Sequence, residues 1–156
     1  MQDKKTQQAT LELELIDNQY QVVDRRKMLA LLIKKGVPRE LATRLDDIWE
    51  ETKTIGKKIF QIGRIVVCKI AEFILRYPHT AVGLLVGAAL GFLASHVPFL
   101  GVILGPAIGT FTMIYGAIQG AEMDTGEKGM KALIIIAEDF FATIVDIFKT
   151  VWEEAL

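Results

Sequence analysis

The sequence predicts an all-α membrane protein, in which a two-pass, glycine-spaced helical hairpin is flanked by amphipathic cytosolic and interfacial helices. Of the 156 residues, 51% are hydrophobic, yet 18 Lys and Arg accompany 19 Asp and Glu. The charges are segregated, because 15 basic and 11 acidic residues precede residue 77, none lies within 77–121, and 3 basic and 8 acidic residues follow. A soluble fold of this size rarely leaves so long a stretch uncharged. We call residues 77–121 the uncharged segment.

The chain divides into four parts, beginning with a polar N-terminal arm at residues 1–23. A cytosolic to juxtamembrane helical region follows at 24–76, then the predicted transmembrane hairpin at 77–121, and an acidic amphipathic C-terminal helix at 122–156. In the arm, Leu11 to Leu15 alternate leucine with glutamate at a period of two, as a strand does, but no partner strand is evident. We therefore expect a mobile arm, or a strand that forms on binding.

The helical region contains a short apolar helix around Met28 and Leu32, which Gly36 is expected to end. A longer helix is predicted to begin after Pro38. Apolar residues then recur at alternating intervals of four and three, which is typical of a coiled-coil seam. The seam consists of Leu41, Leu45, Ile48, Thr52, Ile55, Ile59, Ile62 and Val66. It is predicted either to pair with another chain or to pack on the 25–35 helix or the C-terminal helix of the same chain.

Basic residues crowd the approach to the uncharged segment. They are Lys57, Lys58, Arg64, Lys69 and Arg76. They lie largely off the apolar side of their helix, so they are predicted to contact anionic lipid headgroups, although a cytosolic stalk fits equally well. Since the turn between the two passes has no Lys or Arg, the positive-inside rule places both termini in the cytoplasm. We expect the bacterial inner membrane as the location.

Two apolar stretches, 79–97 and 99–121, form the predicted passes, each about 28 to 35 Å long as a helix against a hydrocarbon core of roughly 30 Å. Glycines repeat every four residues within them and leave a smooth helix face that permits close packing. They are Gly83, Gly87, Gly91, Gly101, Gly105, Gly109, Gly116 and Gly120. The two faces are predicted either to meet within one hairpin or to join copies of the chain, and we expect a homo-oligomer.

Residues 76–95 carry a family resemblance through Pro78, Gly83, Gly87 and Gly91. This stretch resembles the membrane segment of bacterial glycine-zipper inner-membrane anchors of the ElaB/YqjD type, which implies a membrane anchor preceded by a helical cytosolic region. The chain departs from that family by adding a second pass and an acidic tail. An apolar hairpin between amphipathic helices is also similar in architecture to the hairpins of colicin-type pore formers.

The residues offer no constellation typical of catalysis. His79 and His96 would lie about 25 Å apart on one helix, too far to share a metal ion. Cys68 has no histidine near it in sequence, and neither a phosphate-binding loop nor a Cys/His metal spacing is present. We therefore expect no enzyme activity, cofactor or metal, and a net charge of −1 favours no binding to nucleic acid. Three polar residues, Thr112, Tyr115 and Gln119, are predicted to line a polar path or to hydrogen-bond between helices.

Two functions fit these observations. The first is a membrane-anchored adaptor or regulator that self-assembles through its glycines and binds an unknown cytosolic protein along the seam, above all from Leu41 to Ile62. The alternative is an oligomeric pore-forming or membrane-permeabilising effector. A pore needs a continuous polar stripe through the bilayer, and the second pass offers only half of one, so the adaptor is favoured. A water-soluble form that hides its apolar residues until triggered is also compatible with the sequence.

Overall fold

The structure is a computed structural model that describes residues 4–37, 39–76, 82–97, 100–106 and 126–155, and every regular element in these ranges is a helix. The helices are α1 (Lys4–Tyr20), α2 (Arg25–Lys34), α3 (Arg39–Ile55), α4 (Lys57–Arg76), α5 (Val82–His96) and α6 (Gly126–Ala155). Residues 100–106 are also helical. The predicted all-α class is confirmed for this part of the chain.

Helix α4 lies at the centre of the fold and packs against all five of the other helices. Twelve of its 20 residues are buried, far more than one face of a surface helix supplies. The α3 helix packs along one part of α4. The α1 and α6 helices contact α4 and each other, and α5 packs mainly on α6. The chain is therefore built around the helix that the sequence placed beside a membrane.

The N-terminal residues form helix α1 rather than the mobile arm or strand that the sequence predicted. Its buried residues recur at intervals of three and four: Thr6, Ala9, Leu13, Asp17 and Tyr20. The period-two pattern misled because Leu11 and Leu15, both 58% exposed, lie off the buried face. The alternation of leucine and glutamate at 11–15 therefore belongs to a helix whose buried face contains both polar and apolar residues.

Helix α2 ends at a glycine, as the sequence predicted. Gly36 adopts a φ of +105°, where a side chain is strained. Its N–H donates to the carbonyl of Ile33, and the N–H of Val37 donates to the carbonyl of Leu32, each at 3.0 Å. Val37 and Leu32 are both buried, so an apolar contact accompanies this Schellman-type end.

The long helix predicted after Pro38 is divided at Gly56 into α3 and α4, which fold back on each other. The two helices approach closely where Gly63 faces Thr52, because a Cβ at Gly63 would lie 2.1 Å from Thr52 Oγ1. The Thr52 hydroxyl donates to the carbonyl of Ile48 at 2.8 Å, which holds it in place. The seam is thus turned onto itself within one chain.

The predicted two-pass membrane hairpin is wrong. Among the residues that the structure describes, no helix combines the length and the apolar character that crossing a bilayer requires. Of the first predicted pass, the structure describes α5, whose 15 residues run from Val82 to His96. Of the second predicted pass, only residues 100–106 are described. The sequence misled because a helix that is apolar on all sides suits burial inside a protein as well as burial in lipid.

Candidate functional site

The candidate site is the part of the uncharged segment that the structure describes, namely residues 82–97, which include α5, and the helical residues 100–106. Seven of its side chains are at most 6% exposed: Ala89, Leu90, Leu93, Val97, Leu100, Ile103 and Leu104. They recur at intervals of one, three and four along both helical stretches, so one broad face of each is covered. By contrast, Val102 is 77% exposed. The described part of the uncharged segment is therefore covered by protein along one face, and other positions of it are half-buried or exposed.

Helix α6 supplies most of the cover over α5. Its buried residues are Ala137, Phe141, Ile144, Val145, Phe148, Val151 and Trp152. In the sequence, apolar residues of this helix recur at intervals of four and three, which indicates a seam through Leu133, Ala137, Phe140, Ile144, Ile147 and Val151. In the structure the buried face is centred beside that seam, since Phe140 and Ile147 are half-buried while Phe141 and Phe148 are fully enclosed.

A cluster of phenylalanines joins α6 to α4. The Phe73 ring on α4 lies 4.9 Å from that of Phe140 and 6.4 Å from that of Phe141, measured between ring centroids. Lys69 Nζ lies 4.9 Å from the centroid of Phe140. Phe73 and Phe141 are completely buried. Such aromatic contacts contribute beyond their buried area, so this cluster fixes the two covering helices together.

Two polar contacts hold α1 on α4. Asp17, which is 1% exposed, lies 3.3 Å from the guanidinium of Arg64. The Tyr20 hydroxyl donates to Glu72 Oε1 at 2.8 Å. Burial, followed by this hydrogen bond to a carboxylate, raises the pKa of Tyr20 well above its ordinary value. Breaking a buried ion pair by removing one partner is costly, so these contacts fix the position of α1.

The five predicted lipid-contacting cations occupy different surroundings. Lys57 and Arg76 are exposed and Lys58 is half-buried. Arg64 forms an ion pair with Asp17, and the guanidinium carbon of Arg64 lies 4.5 Å from the centroid of the Phe60 ring. Lys69 lies 3.9 Å from Glu72. Two of the five are thus engaged inside the protein.

The predicted glycine faces are described only in part. A Cβ at Gly101 would lie 3.7 Å from the carbonyl oxygen of Ala94, an ordinary contact between α5 and residues 100–106. At Gly91 and Gly105, a Cβ would meet no described atom within 4 Å. Gly83 and Gly87 lie on α5. The remaining predicted glycines and the polar-path residues lie outside the described residues: Gly109, Gly116, Gly120, Thr112, Tyr115 and Gln119.

The seam residues lie at the contact of α3 with α4, and most are buried. Those at most 3% exposed are Leu41, Leu45, Ile48, Thr52, Ile59, Ile62 and Val66. Ile55, at the end of α3, is 52% exposed. The structure brings the two halves of the seam together within one chain. This packing covers the seam, which the sequence predicted to bind a cytosolic partner.

Two titratable side chains that could take part in chemistry, Cys68 and Glu50, are buried or paired with a cation. Burial chiefly, and then the Glu72 carboxylate, raise the pKa of the Cys68 thiol to about 12, so the nucleophilic thiolate is disfavoured. The hydrogen bond from Arg25 lowers the pKa of Glu50. Within the described ranges, no group of His, Cys, Asp and Glu is arranged to hold a metal ion.

A cleft of about 510 Å³ is lined by Arg44, Asp47, Glu50, Glu51, Thr54, Ile103 and Pro106.

Sequence reasoning missed the contacts around α1, because they depend on residues far apart in the chain. The spacing of Ala9, Leu13 and Tyr20 was the available indication of a helix with one buried face. Nothing local indicated that Asp17 would meet Arg64, which is 47 residues away. Long-range pairing of this kind follows only from the fold.

Comparisons with known proteins give no relative from which to take a function. No protein-family model, no curated protein and no solved structure matches the chain.

Proposed function

We propose that the protein is a membrane-permeabilising effector, which keeps its uncharged segment covered by amphipathic helices and transfers it to a lipid bilayer when the cover separates. The observation that supports this proposal is the covering of α5 by α6 and α4, together with the burial of Leu100, Ile103 and Leu104. Residues 77–121 carry no charge, so their apolar side chains are stabilised by burial away from water, in protein or in lipid.

The energetics of exchange support this function. Each buried Leu or Ile side chain contributes roughly 1.5–3 kcal/mol relative to exposure in water. Lipid tails are as apolar as these side chains, so transfer to a bilayer retains that stabilisation. The α4 and α6 helices are amphipathic, and once separated their apolar faces fit the boundary between headgroups and acyl chains.

We propose a disturbance of one leaflet. The 15 residues of α5 that the structure describes extend over about 22 Å, against a hydrocarbon core of roughly 30 Å. Insertion into one leaflet would expand that leaflet relative to the other and loosen lipid packing. The adaptor hypothesis loses support, because the hairpin anchor is contradicted and the seam is covered by the chain itself. The bacterial inner membrane remains the predicted target.

Val102 offers a sharp test, because it is 77% exposed in the folded protein but belongs to the uncharged segment. Val102→Lys should leave the bundle folded, yet a buried Lys costs about 2.5–3.5 kcal/mol in a membrane, so dye release from vesicles should fall at least roughly tenfold. The matched control is Val22→Lys, which replaces a valine that is 89% exposed outside the segment.

The measurement is the release of an encapsulated dye against protein concentration, with thermal unfolding of each variant recorded in parallel. Full release by the parent protein and by Val22→Lys, with little by Val102→Lys, is the expected result. Intact vesicles at every concentration of the parent protein would refute the proposal. Equal release by the two lysine variants would equally show that residues 100–106 do not enter lipid.

A further inference from the structure

Helix α2 carries a dense positive charge that the proposed function does not use. From Arg25 to Arg39 the chain has six basic residues and no acidic one. Only Leu32 is buried within the helix, so α2 lies at the periphery of the bundle. The nearby Asp24 is occupied in capping α2, where its carboxylate accepts hydrogen bonds from the N–H groups of Arg26 and Lys27.

The basic residues of α2 divide into one that is structural and others that face outward. Arg25 pairs with Asp46 and with Glu50 of α3, and its guanidinium carbon lies 5.7 Å from the centroid of Trp49. Among the described residues, the remaining cations of α2 form no ion pair. Arg26, Lys27 and Lys34 are all exposed, on the side of the helix opposite Leu32.

Two apolar side chains border these cations. Leu31 is 39% exposed and Ile33 is 36% exposed, one on each side of the basic residues along the helix surface. We call Arg26, Lys27, Leu31, Ile33 and Lys34 the α2 basic face. A surface of cations flanked by partly exposed aliphatic side chains matches the boundary of an anionic bilayer, where phosphate and carboxylate groups overlie hydrocarbon.

We propose that the α2 basic face is the surface by which the folded protein docks on an anionic lipid bilayer before its cover separates. The choice of a bilayer as the target rests on the proposed function. The docking step itself does not, because it requires no movement of α5. Charge complementarity and the bordering aliphatic side chains of Leu31 and Ile33 favour a lipid surface, where anionic headgroups overlie hydrocarbon. This surface differs from the α4 cations, of which Arg64 and Lys69 are engaged within the fold.

The test compares two triple variants of the full chain that lose the same net charge. The first is Arg26→Gln with Lys27→Gln and Lys34→Gln. The control is Lys4→Gln with Lys5→Gln and Lys53→Gln, three exposed cations on α1 and α3. Binding is measured by co-sedimentation with vesicles of phosphatidylcholine, alone and mixed with phosphatidylserine, and thermal unfolding verifies that each variant is folded.

We expect the first variant to bind the mixed vesicles roughly a hundredfold more weakly than the parent protein, because each of the three cations near an anionic surface contributes about a fivefold factor. The control should bind within about threefold of the parent protein, because its cations do not lie on the docking surface. Equal losses in the two variants would assign binding to net charge and overturn the proposal, as would unchanged binding of the first.

Two further outcomes separate this proposal from the proposed function. Val102→Lys should dock on mixed vesicles as the parent protein does, because its α2 is unaltered, while it releases less dye. Docking that depends on the α2 basic face, without dye release by the parent, would support docking and refute the effector. Binding of the parent protein to heparin but not to the mixed vesicles would overturn the assignment to lipid.

Discussion

Single residues show how closely the bundle is packed at its centre. Gly63 permits α3 and α4 to approach, because any side chain there would enter the space of Thr52. Gly56, only seven positions earlier, has no atom within 4 Å of a Cβ position. The two glycines therefore have opposite tolerance for substitution.

Gly63→Ala should reduce the free energy of unfolding by about 1–3 kcal/mol, since the added methyl group forces the two helices apart. Gly56→Ala should change it by less than about 1 kcal/mol. Urea unfolding of the two variants measures the difference. Adding Thr52→Ala to Gly63→Ala should recover part of the loss only, because the Cβ at residue 52 would remain 2.6 Å from the new one. A stable Gly63→Ala would show that α3 and α4 do not meet there.

The buried thiol of Cys68 makes stability depend on pH. Burial raises its pKa to about 12, whereas an unfolded thiol ionises near about 8.5. The contribution is therefore fully present below about pH 8.5 and is lost as pH rises toward 12. Between about pH 8.5 and 10, the free energy of unfolding should fall by less than about 1.4 kcal/mol per pH unit, the limit for one group. Denaturant titrations should show a flatter pH dependence for Cys68→Ala.

At the scale of helices, the structure replaces an expected electrostatic attraction with an apolar one. The acidic C-terminal helix and the basic helix before the uncharged segment carry opposite charges, which favours an electrostatic contact between them. Among the described residues, the ion pairs lie within α1 to α4. Helix α6 meets α4 through Phe73, Phe140 and Phe141 instead. Separation of the cover is therefore opposed mainly by aromatic and aliphatic packing.

Phe73→Ala should loosen the contact of α4 with α6. Removing a fully buried Phe costs about 3–5 kcal/mol, so the variant should unfold at lower temperature and release vesicle dye at lower protein concentration. Leu75→Ala, on the same helix but 36% exposed, is the control and should cost under about 1 kcal/mol. Dye release that does not increase in Phe73→Ala, despite a lower melting temperature, would separate opening of the cover from membrane action.

For the whole molecule, the sequence predicted the helical class and the ends of helices better than it predicted how the helices pack on one another. Gly36 ends α2 and α3 begins at Arg39, because such ends depend on local backbone chemistry. The seam at Leu41 to Ile62 was visible from its spacing, but its partner was not, because Gly56 breaks the helix and returns the chain. The uncharged segment was taken for a membrane hairpin because apolar periodicity does not distinguish lipid from protein as the surrounding medium.

The packing of α5 on α6 also has a consequence in time. Leu93 of α5 and Phe141 of α6 are both completely buried, yet they are separated by about 50 residues of synthesis. At roughly 5–20 residues per second, α5 leaves the ribosome about 2–10 seconds before its cover exists. During that interval the apolar helix is available to chaperones or to a nearby bilayer. Whether the chain is stored folded or meets a membrane at once is therefore decided by what α5 encounters first.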